Sequence, residues 1–352
     1  MNTPTILWDL GTAYDLFASL TVLHRPDRFG LRASWAAGVR SRLPAPHRQV
    51  LEDAGELFVV PFAWLYQLPA PKDAATALQA LAELPPAERL PALAMMPDLT
   101  PETAQTLKEV YERRAWEDAD LDALRTAFQH RTRPVRPATL VNILDWWSRP
   151  DEFGERYLAA MQSYQAVFFN EEERRIRPVL EEAQAEAQRQ AGQLEFSQLV
   201  ELLSQGVQIA ALSEAAQVVL APSYWTTPLV IYGQVSPDCM LMLYGGRPAE
   251  LPLVPGEMVP DAMLRALKTL SDPTRLRILR YLAEQPQTSS QLSRRLRLRT
   301  PTLTHHMNAL RLAGLVHLEV DEQGERRYSV RAEAIESTFV ALKRFIEVKG
   351  VK

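Results

Sequence analysis

Through the first 150 residues, apolar side chains recur at the three- and four-residue spacing that gathers them on one face of an α-helix. Asp9 to Leu23 is the first such segment, and similar ones follow at about 32–43, 46–58, 73–83, 101–114, 118–129 and 138–148. Residues 150–192 are dense in Glu, Arg, Ala and Gln, the composition of long helices with a solvent-facing side, and Pro178 is expected to kink or split that run. The period then changes. QVVLAPS, PLVIYGQV and DCMLMLYGG are short, apolar and rich in β-formers, with turn signals at Ser223, Pro237 and Gly245, and they predict a short antiparallel sheet or hairpin. In GGRPAELPLVPGEMVP, residues 245–260, four prolines and three glycines interrupt any period. The pattern predicts a mainly α chain with small β elements. A helical N-terminal domain spans 1–245, with its β-rich segment near 217–245, a Pro/Gly-rich linker covers 246–260, and a second domain follows at 261–348.

The second domain carries the most specific pattern. Ser271 or Asp272 can cap a helix whose first turn holds Pro273, where a missing N–H costs nothing, and Leu276, Ile278, Leu279, Tyr281 and Leu282 supply its apolar stripe. A short turn at 285–287 leads to Leu292 and Leu296, four apart, and Pro301 restarts the chain as a new helix capped by Thr300. Two helices joined by a tight turn form a helix-turn-helix. On the second of them Leu303, Met307 and Leu310 share one face, so Thr302, His305 and Ala309 project the opposite way. That outward face is small, polar and basic, and fits a major groove with Thr302 and His305 near base edges and Thr304, Asn308 and Arg311 on a flank suited to phosphates. The basic run RRLRLR at 294–299 leads into this helix, and Arg299 and Thr300 at its entry join the expected DNA contacts. His306 borders the apolar face and is expected to pack. Past Gly314, the expected helix stop, Val316, Leu318 and Val320 alternate with His317 and Glu319, and RRYSV returns after DEQGE, a hairpin with Arg326 and Arg327 near its charged tip.

These residues resemble the ArsR family of bacterial winged-helix repressors: SDPTRLRIL is similar to the family's opening, TPTLTHHMNALRLAGLV to its recognition helix and following turn, and QGERRYSV to its wing. The resemblance covers roughly residues 260–348. It implies a winged helix-turn-helix, a homodimer, a palindromic operator in double-stranded DNA, and repression relieved by a signal. The chain departs from the pattern at the segments where many members hold metal, PQTSSQLS and AEAIESTFVALKRFIEV, which contain neither Cys nor His. No metal and no cofactor are expected. Upstream, WDLGTAYDLFASLTVL and VVLAPSYWTTPLVIY resemble the uncharacterised domain that precedes the winged helix in some ArsR-like regulators.

Charge sharpens the division. The chain is −4 overall, but residues 262–332 carry 13 Lys/Arg against 6 Asp/Glu, a net +7, leaving −11 on the remainder. The basic part attracts phosphate and the acidic part is repelled by it. On the last helix Ile335, Phe339, Leu342 and Ile346 fall at spacings of 4, 3 and 4, a narrow seam that Met263, Leu264 and Leu267 can extend, so these seven residues are the expected dimer interface.

All seven tryptophans lie upstream of the linker, as core residues or as walls of a pocket for a small apolar effector. One cysteine, Cys239, precludes an intramolecular disulfide, no stretch is long and apolar enough for a membrane span, and the N-terminus lacks a basic region followed by an apolar core; the expected setting is the cytoplasm. No phosphate loop, GxSxG, HExxH or zinc spacing is present, and the expectation is a regulator rather than an enzyme. Two rivals are an enzyme localised on DNA by its winged helix, which would convert rather than bind a metabolite, and a winged-helix adaptor for protein, which salt-sensitive DNA binding would exclude.

Overall fold

Strands whose inward and outward side chains are both apolar must be covered on both faces, and the β-rich segment before residue 246 meets that demand with helices on each side. The protein is described by a computed structural model at residues 3–29, 31, 33–129, 135–248, 251, 260–321 and 325–346. Strand β1 (Thr5–Trp8) enters a long helical region: α1 (Thr12–His24), α2 (Ala33–Ser41), α3 (Ala45–Leu57), α4 (Phe62–Gln67), α5 (Ala74–Glu83), α6 (Pro86–Ala94), α7 (Pro101–Arg113), α8 (Asp118–Phe128), α9 (Pro137–Ser148), α10 (Pro150–Tyr164) and α11 (Asn170–Ala191). Next come α12 (Phe196–Leu203), β2 (Val207–Ile209), α13 (Ala210–Glu214), β3 (Gln217–Ser223), β4 (Ile231–Ser236) and β5 (Cys239–Gly245). The C-terminal part comprises α14 (Asp261–Leu270), α15 (Pro273–Glu284), β6 (Gln287–Thr288), α16 (Ser289–Leu296), α17 (Thr300–Leu312), β7 (Val316–Val320), β8 (Arg326–Val330) and α18 (Ala332–Ile346). The chain is mainly α with small sheets and a C-terminal helix-turn-helix.

Proline opens α6, α7, α9, α10 and α15, at the position where no N–H partner is needed. Asp73 caps α5 by accepting from the Thr76 N–H at 2.8 Å. Pro178 does not split its helix: α11 continues through it to Ala191, and the irregularity in the long helical run is a π-helical turn at Gln165–Phe169.

The first sheet has the order β1-β3-β5-β4. Only the β4–β5 hairpin is antiparallel; β1 with β3 and β3 with β5 pair in parallel, so the expected antiparallel sheet is a mixed one. Its strands are apolar on both faces, a pattern that demands burial and leaves strand direction open. Val219, Ala221, Leu241 and Leu243 face the large helical core, while the alternate residues Val218, Leu220, Met242 and Tyr244 face α11 and α12. At the end of β3, the fully buried Asp15 of α1 accepts from Ser223 Oγ at 2.7 Å and from the N–H groups of Trp225 and Tyr224 at 3.0 and 3.2 Å. Burial pushes its carboxyl up to about 6, against the pull of those three donors.

The buried tryptophans Trp146, Trp147 and Trp225 belong to the large helical core. Trp147 and Trp225 are fully buried, and Trp225 stacks on Trp35 with ring centroids 5.4 Å apart, with Phe168 at 5.7 Å completing the cluster.

The second sheet has the order β2-β7-β8-β6, so a strand from upstream of the Pro/Gly-rich stretch completes the sheet of the C-terminal part. β2 runs parallel to β7 with Val207 opposite Leu318, and the Leu318 N–H donates to Gly206 O at 2.8 Å. Val207 packs against the cores on both sides of the joint. Most of the expected linker falls outside the described residues; Arg247, at its start, is buried with its N–H on Thr227 Oγ1 at 3.2 Å. No helix among the described residues is long and apolar enough to cross a membrane.

Candidate nucleic-acid interface

Local signals build the helix-turn-helix. Asp272, rather than Ser271, caps α15 by accepting from Arg275 N at 2.9 Å, a bond that holds its carboxyl below the usual range. Ile278, Leu279 and Leu282 of that helix are buried, whereas Leu276 is 48% exposed and lies outside the stripe. Thr288 and Gln291 form a capping box at the start of α16, with the Thr288 N–H on Gln291 Oε1 at 2.8 Å and the Gln291 N–H on Thr288 Oγ1 at 3.3 Å. Arg297 turns the chain in the left-handed conformation at φ 54°. The cap of α17 falls one residue earlier than expected: Arg299 holds the extended N-cap conformation and Thr300 is already helical, placing Pro301 within the first turn, where no N–H partner is lost.

On α17 the period sorts the side chains as the spacing predicts. Leu303, Met307 and Leu310 are at most 2% exposed, packed with Ile278, Leu292 and Leu296, and Thr302, His305 and Asn308 are exposed. Arg299 and Thr300 at the entry are also exposed, and Thr304 and Arg311 are half-buried. Thr304 Oγ1 donates to Thr300 O at 2.9 Å, a bond that must open for the hydroxyl to donate to phosphate. His306 packs, as expected: its side chain is 12% exposed, its Nδ1 lies 3.9 Å from Asp272 Oδ1, and burial pushes its pKa down, keeping it neutral near pH 7.

The helix ends in a complete Schellman motif. Gly314, at φ +67°, donates to Arg311 O at 2.9 Å, and Leu315 N donates to Leu310 O at 3.0 Å. That turn sends the chain directly into β7, which pairs antiparallel with β8 in the register Glu319 to Arg327 and Val320 to Arg326. Arg326 and Arg327 are both exposed next to the tip, on opposite faces by strand alternation, and Arg327 is 3.4 Å from Glu325. Gly324 at the tip lies outside the described residues.

The basic run before α17 is not uniform. All four arginines are exposed, but Arg295 is tied to the fold, 2.5 Å from Glu284 and 4.2 Å from the centre of the Tyr281 ring, whereas Arg294, Arg297 and Arg299 have no carboxylate partner among the described residues. Sequence spacing could not separate them, because Glu284 and Tyr281 belong to the preceding helix.

Of the seven expected interface residues, Met263 is buried inside the single chain at 6% exposed, and Leu264, Leu267, Ile335 and Leu342 are half-buried. Phe339 and Ile346 are 55% and 67% exposed, next to Val340 and Phe345. Met263 is therefore covered by its own chain, while α18 leaves Phe339 and Ile346, seven apart on one face, exposed beside the exposed Glu336 and Lys343.

Among the described residues, no group of three or more His, Cys, Asp or Glu side chains is placed to hold a metal ion. A family model described as a helix-turn-helix domain matches residues 270–319, from the end of α14 through most of β7. No curated protein matches the chain. The chain thus carries near its C-terminus a helix-turn-helix domain, the module that binds DNA in transcription regulation.

Proposed function

We propose that the chain is a sequence-specific transcriptional regulator of the ArsR type: a homodimeric repressor in which a winged helix-turn-helix, residues 261–348, reads a palindromic operator and the N-terminal domain, residues 1–245, reads a small-molecule signal. The observation that carries this reading is the two-sided α17, its apolar face wholly buried and Thr302, His305 and Asn308 exposed on the opposite side. In this reading Thr302 and His305 meet base edges, Arg299, Thr300, Thr304, Asn308 and Arg311 position the helix on phosphates, and Arg326 and Arg327 grip the neighbouring backbone. The net +7 of residues 262–332 against −11 elsewhere favours approach by this face. The exposed Phe339, Val340, Phe345 and Ile346 on α18 favour a second copy as the partner. No catalysis is assigned to the chain; its working event is binding.

The test is a salt titration of duplex affinity with the full chain. Affinity is expected to fall steeply with salt, and Arg326→Ala or Arg327→Ala each to weaken all sequences alike and reduce the slope by about one per lost phosphate contact. Affinity independent of salt would contradict the reading.

A further inference from the structure

A cavity of about 200 Å³ opens between α1, α3 and α10, lined wholly by residues of the N-terminal part. Its floor is apolar: Phe17, Leu20, Leu51 and Phe58 line it and are all buried. An apolar cavity of about 150 Å³ holds benzene, so this volume suits a single substituted ring.

Polar side chains also line the same space, among them the carboxylates of Glu52, which is exposed, and Glu56, and their commitments differ. Tyr157 of α10 is 1% exposed, its ring edge-on to Phe58 with centroids 5.7 Å apart, yet its hydroxyl has no hydrogen-bond partner among the described residues. A buried tyrosine hydroxyl ordinarily finds a partner, so this one is placed to donate to a ligand in the cavity. Arg25 stands at the rim, where its guanidinium donates to Gly55 O at 3.3 Å and has no carboxylate partner among the described residues. The neighbouring carboxylate of Glu56 is already occupied, accepting from Arg136, Thr139 and Asn142 at 3.1 Å each. His24 adds no second cation: its Nδ1 lies 2.8 Å from Leu20 O, to which an imidazole can only donate, and burial pushes its pKa down. The cavity thus combines a ring-sized apolar floor, a tyrosine hydroxyl without a partner among the described residues, and a guanidinium held by a backbone carbonyl and no carboxylate, with Glu52 exposed on the same lining. Arg25 also directly precedes the 3₁₀ turn Pro26–Phe29, which comes close to α17.

We propose that this cavity is a binding site for a monocyclic aromatic carboxylate, its ring against Phe17, Leu20 and Phe58 and its carboxylate accepting from Arg25 and Tyr157. The proposal rests on the N-terminal domain's being the signal-reading part, and gives that part a site and a ligand class. Benzoate is the probe, titrated calorimetrically into the full chain beside neutral benzyl alcohol and cationic benzylamine. Benzoate is expected to saturate at one per chain and to bind at least about tenfold more tightly than benzyl alcohol, with benzylamine not binding, since a charge-assisted hydrogen bond contributes about 1.5–3 kcal/mol. Tyr157→Phe keeps the ring and its packing while removing the donor, and is expected to weaken benzoate about tenfold; Arg25→Gln is expected to abolish the preference for benzoate over benzyl alcohol. Thermal melts of both variants establish that each is folded. Absence of saturable benzoate binding, binding indifferent to both substitutions, or equal binding of the neutral and anionic probes would each overturn the proposal. Operator titrations with and without benzoate separate this site from the signal-reading premise: benzoate that binds as described yet leaves operator affinity unchanged leaves the site standing and removes the premise.

Discussion

Asp15 is fully buried and receives three donors from the last residue of β3 and the turn after it, so its ionisation state is tied to the stability of the N-terminal core. Its folded value of about 6 lies above the ordinary carboxylate value of 3.8. Between those two values the folded state holds the proton more often than the unfolded state, so this group's contribution rises as pH falls through that window and is lost as pH rises past about 6. Asp15→Asn cannot take up that proton. The stability of wild type relative to Asp15→Asn, measured by denaturant titration, is expected to increase by up to about 1.4 kcal/mol per unit as pH falls from about 6 towards about 4; a difference flat with pH would mean the site does not titrate there. At the DNA face the residue-scale claim is selectivity. Thr302→Ala and His305→Ala are each expected to relax preference at one base pair per half-site by about 1–3 kcal/mol, while leaving the fold intact because both side chains are exposed. Competition binding against single-base operator variants reads this directly, and an unchanged preference at every position would remove both residues from base reading.

At the scale of elements, the joint between β2 and β7 is the most consequential feature. Gly206 sits at φ +95° and a Cβ there would meet His317 Nδ1 at 2.9 Å, so the strand that docks on the wing sheet depends on glycine twice over. Around it Glu201 Oε1 lies 2.9 Å from His317 Nδ1, and Arg331 donates to Gln205 O at 3.2 Å. Gly206→Ala is expected to cost more than about 1 kcal/mol and to raise hydrogen exchange in β7 while sparing α16 and α17; unchanged protection of Leu318 would show the joint to be tolerant. This joint was not legible in the sequence. β2 is three residues long and pairs with a strand beyond the linker, and β1 pairs with β3 from the far end of the helical region, so neither leaves a local pattern that names its partner. What was legible is what local chemistry decides. Asp272 before Pro273 marks a helix start and Gly314 after a periodic run marks a helix stop. The starts of α5, α7 and α9, the pairing of β7 with β8 and the buried face of α17 likewise follow from caps, prolines and spacing. The antiparallel expectation for the first sheet failed because strands apolar on both faces specify burial without specifying direction. The cavity was equally hidden, being lined by segments from α1, α3 and α10 that no sequence window contains together.

For the whole molecule, an acidic helical body carries a basic reading head, and the exposed Phe339 and Ile346 of α18 mark the seam proposed to take a second copy. Phe339→Asp puts a charge into that seam on an exposed position, so the single chain is expected to keep its fold while light scattering shifts from dimer to monomer at micromolar concentration. A wild type already monomeric there, with no second copy recruited on DNA, would contradict the dimer. Two reading heads related by a two-fold axis require related half-sites about one helical turn apart, ~34 Å, or a multiple of it. Selection of binding sites by the full chain from randomised duplex DNA tests the central claim most directly. The expected result is an enriched inverted repeat with that spacing, at which His305→Ala loses preference at one symmetric pair of positions; recovery of no enriched sequence, or of one that His305→Ala and Thr302→Ala read as well as wild type does, would contradict it.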